Sequence, residues 1–323
     1  MAFTPQTIND WVDDDVANDY PSWNAKIAKI NTNFTNVQTD LNAASNAITA
    51  LDNINDSIKG YEVSYNANGQ EIEVALGVAW DSTGNYILEN TAGTIDFSGA
   101  GELGLDTGAA ANDTFYHVWA VGKSRAAVGR VIANTSVTFV LSTSTVAATV
   151  ASNLNTTLGG SPGYDKARRL GSIRTDGSAN RYKFIQQAIG FVRRTTFTGV
   201  NHFASPFEVN DATGAVDTTV DCSGIVPATA KAFTVELACY ATGVSKSGSV
   251  NIALHGQTAS ATNRFLQIES ATDAGGNVYF RETVSKILPI DPGEAGINFH
   301  YITSNTDVSL RANITEYDDD VSL

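Results

Sequence analysis

Several shortages in this chain each remove a class of function. It holds two cysteines in 323 residues, Cys222 and Cys239, too few to staple a fold by themselves. Both sit in strand-like sequence, where a bridge between them stays open and buried free thiols are favoured. Charged residues make up 17% of the chain, below the roughly 25% of an ordinary soluble domain. Bases are the scarcer sign, 20 Lys and Arg against 34 Asp and Glu, for a net charge of −14. Phosphate recognition relies on clustered Lys and Arg, so this balance argues against a nucleic-acid partner and against anionic membranes. No apolar run approaches the roughly 18 residues that span a bilayer. Met1-Ala2-Phe3-Thr4-Pro5 has neither the basic residues nor the apolar run of a signal peptide, so a soluble protein made in a cytoplasm is expected.

What the chain does have is a long apolar stripe near its front. Ile27, Ile30, Phe34, Val37, Leu41, Ala44, Ile48, Leu51 and Ile58 recur at alternating spacings of three and four, interrupted only by Asn55. Ile27, Phe34, Leu41, Ile48 and Asn55 share one heptad position; Ile30, Val37, Ala44, Leu51 and Ile58 share the other. A lone helix has nothing to bury such a seam against, so partner helices are expected to cover it. Phe and Leu at the first position with Ile and Val at the second favour three strands, and Asn55 would fix register. The flanking Asn, Thr, Gln and Ser offer few charges for choosing an unlike partner. A homotrimer results, the alternative being an amphipathic helix folded back on its own domain.

Ahead of the seam, residues 1–22 read as a particle-attachment peptide. Trp11 and Tyr20, with Trp23 just beyond, would act as aromatic anchors on a larger assembly. The run Asp13-Asp14-Asp15 reads as a solvated acidic face, because adjacent aspartates rarely converge on one ion without a defined loop. Residues 23–59 form the shaft, capped by Ser22 and stopped at Lys59-Gly60. From there the period falls to two. Glu71 to Val78 alternates as a strand with one buried face, and further strands are expected at 85–88, 114–121 and 136–141. Val146 to Leu158 suits a short helix, ended by Gly159-Gly160-Ser161-Pro162-Gly163. Residues 60–196 thus form a first β-rich domain. Residues 197–323, with short strands from 207 to 316, form a second, read as a β-sandwich of jelly-roll type. The tail Tyr317-Asp318-Asp319-Asp320 reads as acidic and solvated.

The most distinctive string is Gly163-Tyr164-Asp165-Lys166-Ala167-Arg168-Arg169-Leu170-Gly171-Ser172-Ile173-Arg174-Thr175-Asp176-Gly177-Ser178. It is a basic approach into a strand, then a tight turn, then a second strand carrying Tyr182 and Phe184 on one face. This resembles a hairpin motif of tail-fibre and related fibre proteins of tailed bacteriophages, where a Gly-Tyr step, paired bases, an aliphatic-Gly-Ser-Ile segment and an Asp-Gly turn recur. Phe139 to Ser144 resembles the strand that leads into it, and Asp221 to Pro227 is more weakly similar. The Ala- and Asn-rich link 146–158 departs from the short, proline-rich connection of the motif. The resemblance covers about 50 residues. It implies a homotrimeric virion fibre docked to other virion proteins by its N-terminus, with β-domains projecting toward a host surface glycan or protein and no membrane insertion.

An enzyme reading finds little to hold. Glycoside hydrolysis needs two carboxyl groups about 5 to 9.5 Å apart. The acids of the β-regions are Glu62, Glu71, Glu73, Glu208, Glu236, Glu282 and Glu294; Glu71 and Glu73 share a strand face, as exposed residues of any strand do. His117, His202, His255 and His300 are scattered without metal-ligand spacing, and no Gly-x-Ser-x-Gly elbow occurs. Gly99-Ala100-Gly101-Glu102-Leu103-Gly104 matches a dinucleotide fingerprint formally but lies among turn residues, and reads as a loop. The expectation is a non-enzyme with no cofactor, no metal and no catalytic residue. Trp80, Tyr86, Trp119, Tyr279 and Tyr301 are candidates for stacking on sugar, or for filling a core. The basic cluster Lys166, Arg168, Arg169 and Arg174 would pair with carboxylates nearby or meet an acidic neighbour. Host adhesion through the outward β-domains is the leading function, with a purely structural head or neck fibre second and a polysaccharide depolymerase third.

Overall fold

The computed structural model describes residues 24, 26–39, 58–65, 71–127, 129–160, 163–189, 192–202, 204, 206–214, 216–254, 257, 259–260, 264–272, 274–276, 278–281, 283–290 and 296–321. The chain divides into two compact units, Met1–Asn55 and Asp56–Leu323. In the first, residues 26–39 are helical (α1). The second is mainly β.

Four sheets make up the β unit among the described residues. The largest orders its strands as β19 (Thr283–Pro289), β15 (Ala230–Ala241), β21 (Val308–Asp320), β12 (Val192–Phe197), β11 (Phe184–Ile189), β2 (Val63–Tyr65), β3 (Glu71–Val74) and β6 (Gly93–Asp96); β13 (Glu208–Ala212) also pairs with β21. Beside its first half lies a five-stranded sheet of β14 (Thr218–Asp221), β20 (Asn298–Thr303), β16 (Ser247–Ala253), β17 (Leu266–Thr272) and β18 (Val278–Arg281). A three-stranded sheet runs β10 (Lys166–Arg174), β7 (Phe115–Gly122), β9 (Val137–Ser142). The fourth runs β1 (Ile58–Gly60), β4 (Gly77–Trp80), β5 (Ile87–Asn90), β8 (Val131–Ile132), its last pair parallel.

The period-2 reading is visible in burial. In β3, Ile72 and Val74 are buried between a half-buried Glu71 and an exposed Glu73. β20 alternates buried and half-buried residues along its whole length. The expected single strand 71–78 is two strands, because Ala75-Leu76 turns the chain between sheets and leaves Leu76 70% exposed. β7 and β9 are buried on both faces. Tyr116, Val118 and Ala120 of β7 join one core with Phe139 and Leu141 of β9, while Trp119, Val121 and Val140 pack under α2 (Ala147–Thr157) through Val150, Ala151 and Leu154. The helix expected at 146–158 is therefore the lid of the three-stranded sheet. A second core lies between the five-stranded sheet and β15 and β21, built around Phe233, Val235, Leu237, Phe299 and Leu310.

The boundary expected at 196/197 falls inside β12, and the largest sheet interleaves strands from both sides of it. The shaft boundary also moves. Ile58, Lys59 and Gly60 pair with Ala79, Val78 and Gly77, so Ile58 sits in β1 and not in the seam, and Lys59-Gly60 is no helix stop. Gly60 and Tyr61 both have positive φ, +73° and +52°. A side chain at Gly60 would run into the Leu76 carbonyl. Tyr61 is fully buried and donates its hydroxyl to the Leu88 carbonyl at 3.1 Å. The acidic tail is a further correction: 317–320 are the end of β21, and Tyr317 and Asp319 have no solvent exposure.

Candidate functional site

On α1 the four seam residues share one face at the expected spacing. Ile27 is half-buried, while Ile30, Phe34 and Val37 are 47%, 67% and 63% exposed. Leu41, Ala44, Ile48, Leu51 and Asn55 lie outside the described residues, as do Trp11, Tyr20 and Trp23 of the attachment peptide and the aspartates 13–15.

A second feature is a buried polar centre between β10 and β21. Its origin is a β-bulge: Arg169 opposes Trp119, Gly171 opposes Val118, and Leu170 is the extra residue. Residues three apart in a regular strand point to opposite faces. The bulge restores them to one face, so Arg169 and Ser172 both look at the same neighbour. That neighbour is Asp319. Arg169 Nη1 donates to Asp319 Oδ1 at 2.7 Å, Ser172 Oγ to Oδ2 at 2.6 Å, and Thr229 Oγ1 to Oδ1 at 2.6 Å. Arg169 Nη2 also donates to the Asp320 carbonyl, and Arg168 Nη2 to that of Val321. Tyr317 closes the centre, its hydroxyl on the Ser172 carbonyl at 2.8 Å. On either side, Arg194 clasps Asp318 with two bonds of 2.7 and 2.9 Å, and Lys231 reaches Asp320 at 2.8 Å.

His117 joins the centre through Nδ1, 2.7 Å from Ser172 Oγ. Histidine, serine and aspartate in contact invite comparison with a hydrolytic triad, but the order differs. In a triad the histidine stands between serine and carboxylate and takes the serine proton. Here serine stands in the middle and its proton is already directed to Asp319, so His117 donates through Nδ1–H and takes nothing. Burial, helped by the Arg169 charge, lowers the His117 pKa to about 4, which keeps the ring neutral near pH 7. Ser172 has no solvent contact. The arrangement ties β10, β7 and β21 together.

The rest of the basic cluster is also engaged. Lys166 lies 3.6 Å from Asp165, and Arg174 lies 3.4 Å from Asp113 with its guanidinium over the Phe115 and Tyr182 rings. Of the candidate sugar platforms, Trp80, Trp119 and Tyr301 are core residues at 9% exposure or less. Arg130 stacks on Trp80, 4.6 Å from the ring centroid. Cys222 and Cys239 are both buried thiols, not joined by a disulfide. In the fingerprint-like loop the amides of Gly101, Leu103 and Gly104 are spent on the protein and are not offered to a phosphate. Gly101 N–H donates to Leu105 O, Leu103 N–H to Phe139 O, Gly104 N–H to Gly101 O and Leu105 N–H to Gly99 O. Among the described residues no helix is long and apolar enough to cross a membrane.

These features define a β-rich protein with an amphipathic N-terminal helix. No family model and no curated protein matches the chain. Among solved structures it is similar to a glycoside hydrolase family 43 arabinoxylan arabinofuranohydrolase from Bacillus subtilis, in complex with cellotetraose. The identity is 12%, over 81% of this chain and 66% of that one, with a TM-score of 0.15. A likeness that low carries no argument about fold or activity.

Proposed function

We propose that the protein is a homotrimeric virion fibre, a phage tail or neck fibre, docked to the particle through its N-terminus and presenting its β unit for host-surface adhesion. The observation that carries this reading is the exposed stripe Ile30, Phe34 and Val37 on α1. Its continuation at the same spacing to Leu51 in the sequence is too long for an incidental surface patch, and three copies of the chain would bury it. The resemblance of 163–178 to the fibre hairpin supports the virion context. The fibre is read as a non-enzyme; the Ser172, His117 and Asp319 contact does not have the order of a hydrolytic triad.

The measurement is the solution mass of the full chain by sedimentation. Three times 34.1 kDa, about 102 kDa, is expected; a 34.1 kDa monomer would remove the basis of the fibre reading. Deletion of residues 197–323 is unsuited to locating adhesion, because it removes β21 from the middle of the largest sheet. Competition works with the intact chain: purified trimer added to host cells should slow adsorption of the particle that carries it. A second reading, a purely structural head or neck fibre without receptor binding, draws support from the burial of Trp80, Trp119 and Tyr301. It predicts no competition at any concentration.

A further inference from the structure

One concavity of the β unit is left unused by all of the above. It lies between β6, the loop 97–105, the start of β9 and the residues that follow β7, with a volume of ≈ 260 Å³. Glu102 and Lys123 line it. Tyr164 donates its hydroxyl to Glu102 Oε1 at 2.5 Å, and Lys123 Nζ lies 3.7 Å from the same oxygen and 4.3 Å from the Tyr164 ring centroid. Both contacts use Oε1, so Oε2 has no protein partner among the described residues. The Lys123 ammonium has three protons and one long ion pair. Thr135 and Thr138 line the same cleft, and neither hydroxyl makes a hydrogen bond among the described residues. Leu103 and Val137 supply an apolar wall.

The wall is held at a cost. Leu103 has φ +57°, a left-handed conformation that is strained for a non-glycine residue. It is fixed by two backbone bonds, its N–H to the Phe139 carbonyl at 3.0 Å and its carbonyl from Asp96 N–H at 2.8 Å. The leucine side chain is nonetheless 42% exposed. Strain of this kind collects at binding sites.

The chemistry of the lining narrows the ligand. A phosphate would face the Glu102 carboxylate and find the Gly101, Leu103, Gly104 and Leu105 amides already occupied. A cation would face Lys123. Adjacent hydroxyl groups each donate and accept, and so match a carboxylate beside an ammonium; the C–H face of a sugar ring suits Leu103 and Val137. The volume lies just below the roughly 300 Å³ at which drug-sized pockets begin, which suits one ring and not several. We propose that this cleft binds a single neutral pyranose residue of a glycan. It lies within one chain and does not depend on the trimer; if the protein is a fibre, it is a point at which the fibre holds a sugar.

Saturation-transfer NMR on the full chain tests this, with the methyl glycosides of glucose, galactose, mannose and N-acetylglucosamine as probes. Transfer to at least one of them is expected. Glu102→Gln and Lys123→Met should each weaken it about tenfold or more, the effect of losing one charge-assisted hydrogen bond. Thr135→Trp should abolish it by filling the mouth from an exposed position, which also keeps the test sound if either charge variant misfolds. Glu73→Gln, on the exposed face of β3, should leave it unchanged. No transfer to any of the four glycosides overturns the proposal, as does transfer that survives Thr135→Trp. Neither result bears on the solution mass, so failure here is distinct from failure of the fibre reading.

Discussion

On α1, Phe34 and Val37 stand 67% and 63% exposed, whereas in the β unit Asp319 and Ser172 have no solvent contact and Arg193 only 1%. The usual placement of apolar and charged residues is thus inverted in both units, for opposite reasons. The aspartate, serine and arginine lie inside because the fold brings partners to each of them: Arg169, Thr229 and His117 at the centre, and the Gly60 carbonyl 3.1 Å from Arg193 Nη2. The apolar residues of α1 form one exposed stripe along their own helix. A single helix with one exposed apolar face is marginal in water without tertiary support, so the stability of α1 is expected to come from other copies. One unit is completed by its own sequence and the other, on this reading, by association.

The largest expected effect tests that difference directly. Phe34→Asp combined with Val37→Asp would place six carboxylates in the seam of a trimer, where unpaired charges cannot be buried. The sedimentation mass should fall threefold to 34.1 kDa, while the far-UV dichroism of the β unit stays unchanged. A variant that remained trimeric would show that the β units associate on their own and that α1 is incidental. The converse substitution is Asp319→Ala, which leaves the half-buried Arg169 without its counter-charge. Breaking a buried pair from one side costs about 3–5 kcal/mol. The urea midpoint should drop accordingly with the trimer mass retained. Ser172→Ala, which keeps the ion pair and removes the bridging hydroxyl, should cost less, about 1–3 kcal/mol.

How much of this the sequence disclosed follows from the range of each interaction. α2 was legible because its ends carry local signals: Ala-rich sequence, then Gly159 and Gly160 at φ +85° and +86°. Strands with apolar alternation, such as β15 and β20, were legible for the same reason. β12 was not, since Arg193, Thr195 and Phe197 form its buried side and an arginine reads as outward-facing. β19 was not, because it is mostly exposed and shows Ile287 to solvent. The acidic tail was misread through distance. What turns Asp318 and Asp319 into a strand end is arginine 124 and 150 residues earlier. The bulge at Leu170 left one clue, a serine three residues after an arginine in a strand, which only the partner strand makes meaningful. The cleft around Glu102 left a false one, a glycine pattern that suggests nucleotide binding.

An effect of comparable size should appear on acidification. The His117 pKa falls from 6.5 to about 4 on folding, so the unfolded chain binds a proton that the folded chain refuses. Stability is therefore full above pH 6.5 and declines as pH falls toward 4, by about 3 kcal/mol in all at 1.36 kcal/mol per unit. Asp96 and Asp165, whose pKa values are lowered mainly by hydrogen bonds from Ser98 and against burial by those from Ser124, add losses in the same direction at lower pH. His117→Gln keeps a donor for Ser172 and cannot titrate. Urea unfolding at pH 4.5 and 7.5 should show a smaller difference for this variant than for the parent chain; equal differences would remove His117 from the account.

The smallest effect concerns the turn that joins β10 to β11, where the motif places Asp176-Gly177. The glycine suggests that the left-handed residue of the turn is Gly177, yet its φ is not positive, and the residue at φ +60° is Ala179. Asp176 Oδ1 accepts the amides of Ser178 and Asn180 at 2.8 and 2.9 Å and so holds the alanine in that conformation. Left-handed alanine costs roughly 1–2 kcal/mol, and a new glycine returns roughly 0.5–1 kcal/mol of that through the entropy of the unfolded chain. Ala179→Gly should therefore stabilise by about 0.5 kcal/mol, and Gly177→Ala, whose added methyl would meet only Asp113 Oδ2 at an ordinary 3.5 Å, should do so by a similar amount. Moving the glycine two places along the turn by combining the two should add their effects, read as a rise in thermal midpoint. A loss of stability on Gly177→Ala would mean that the motif's glycine is needed in this turn for a reason other than backbone conformation, such as close approach of a neighbouring chain.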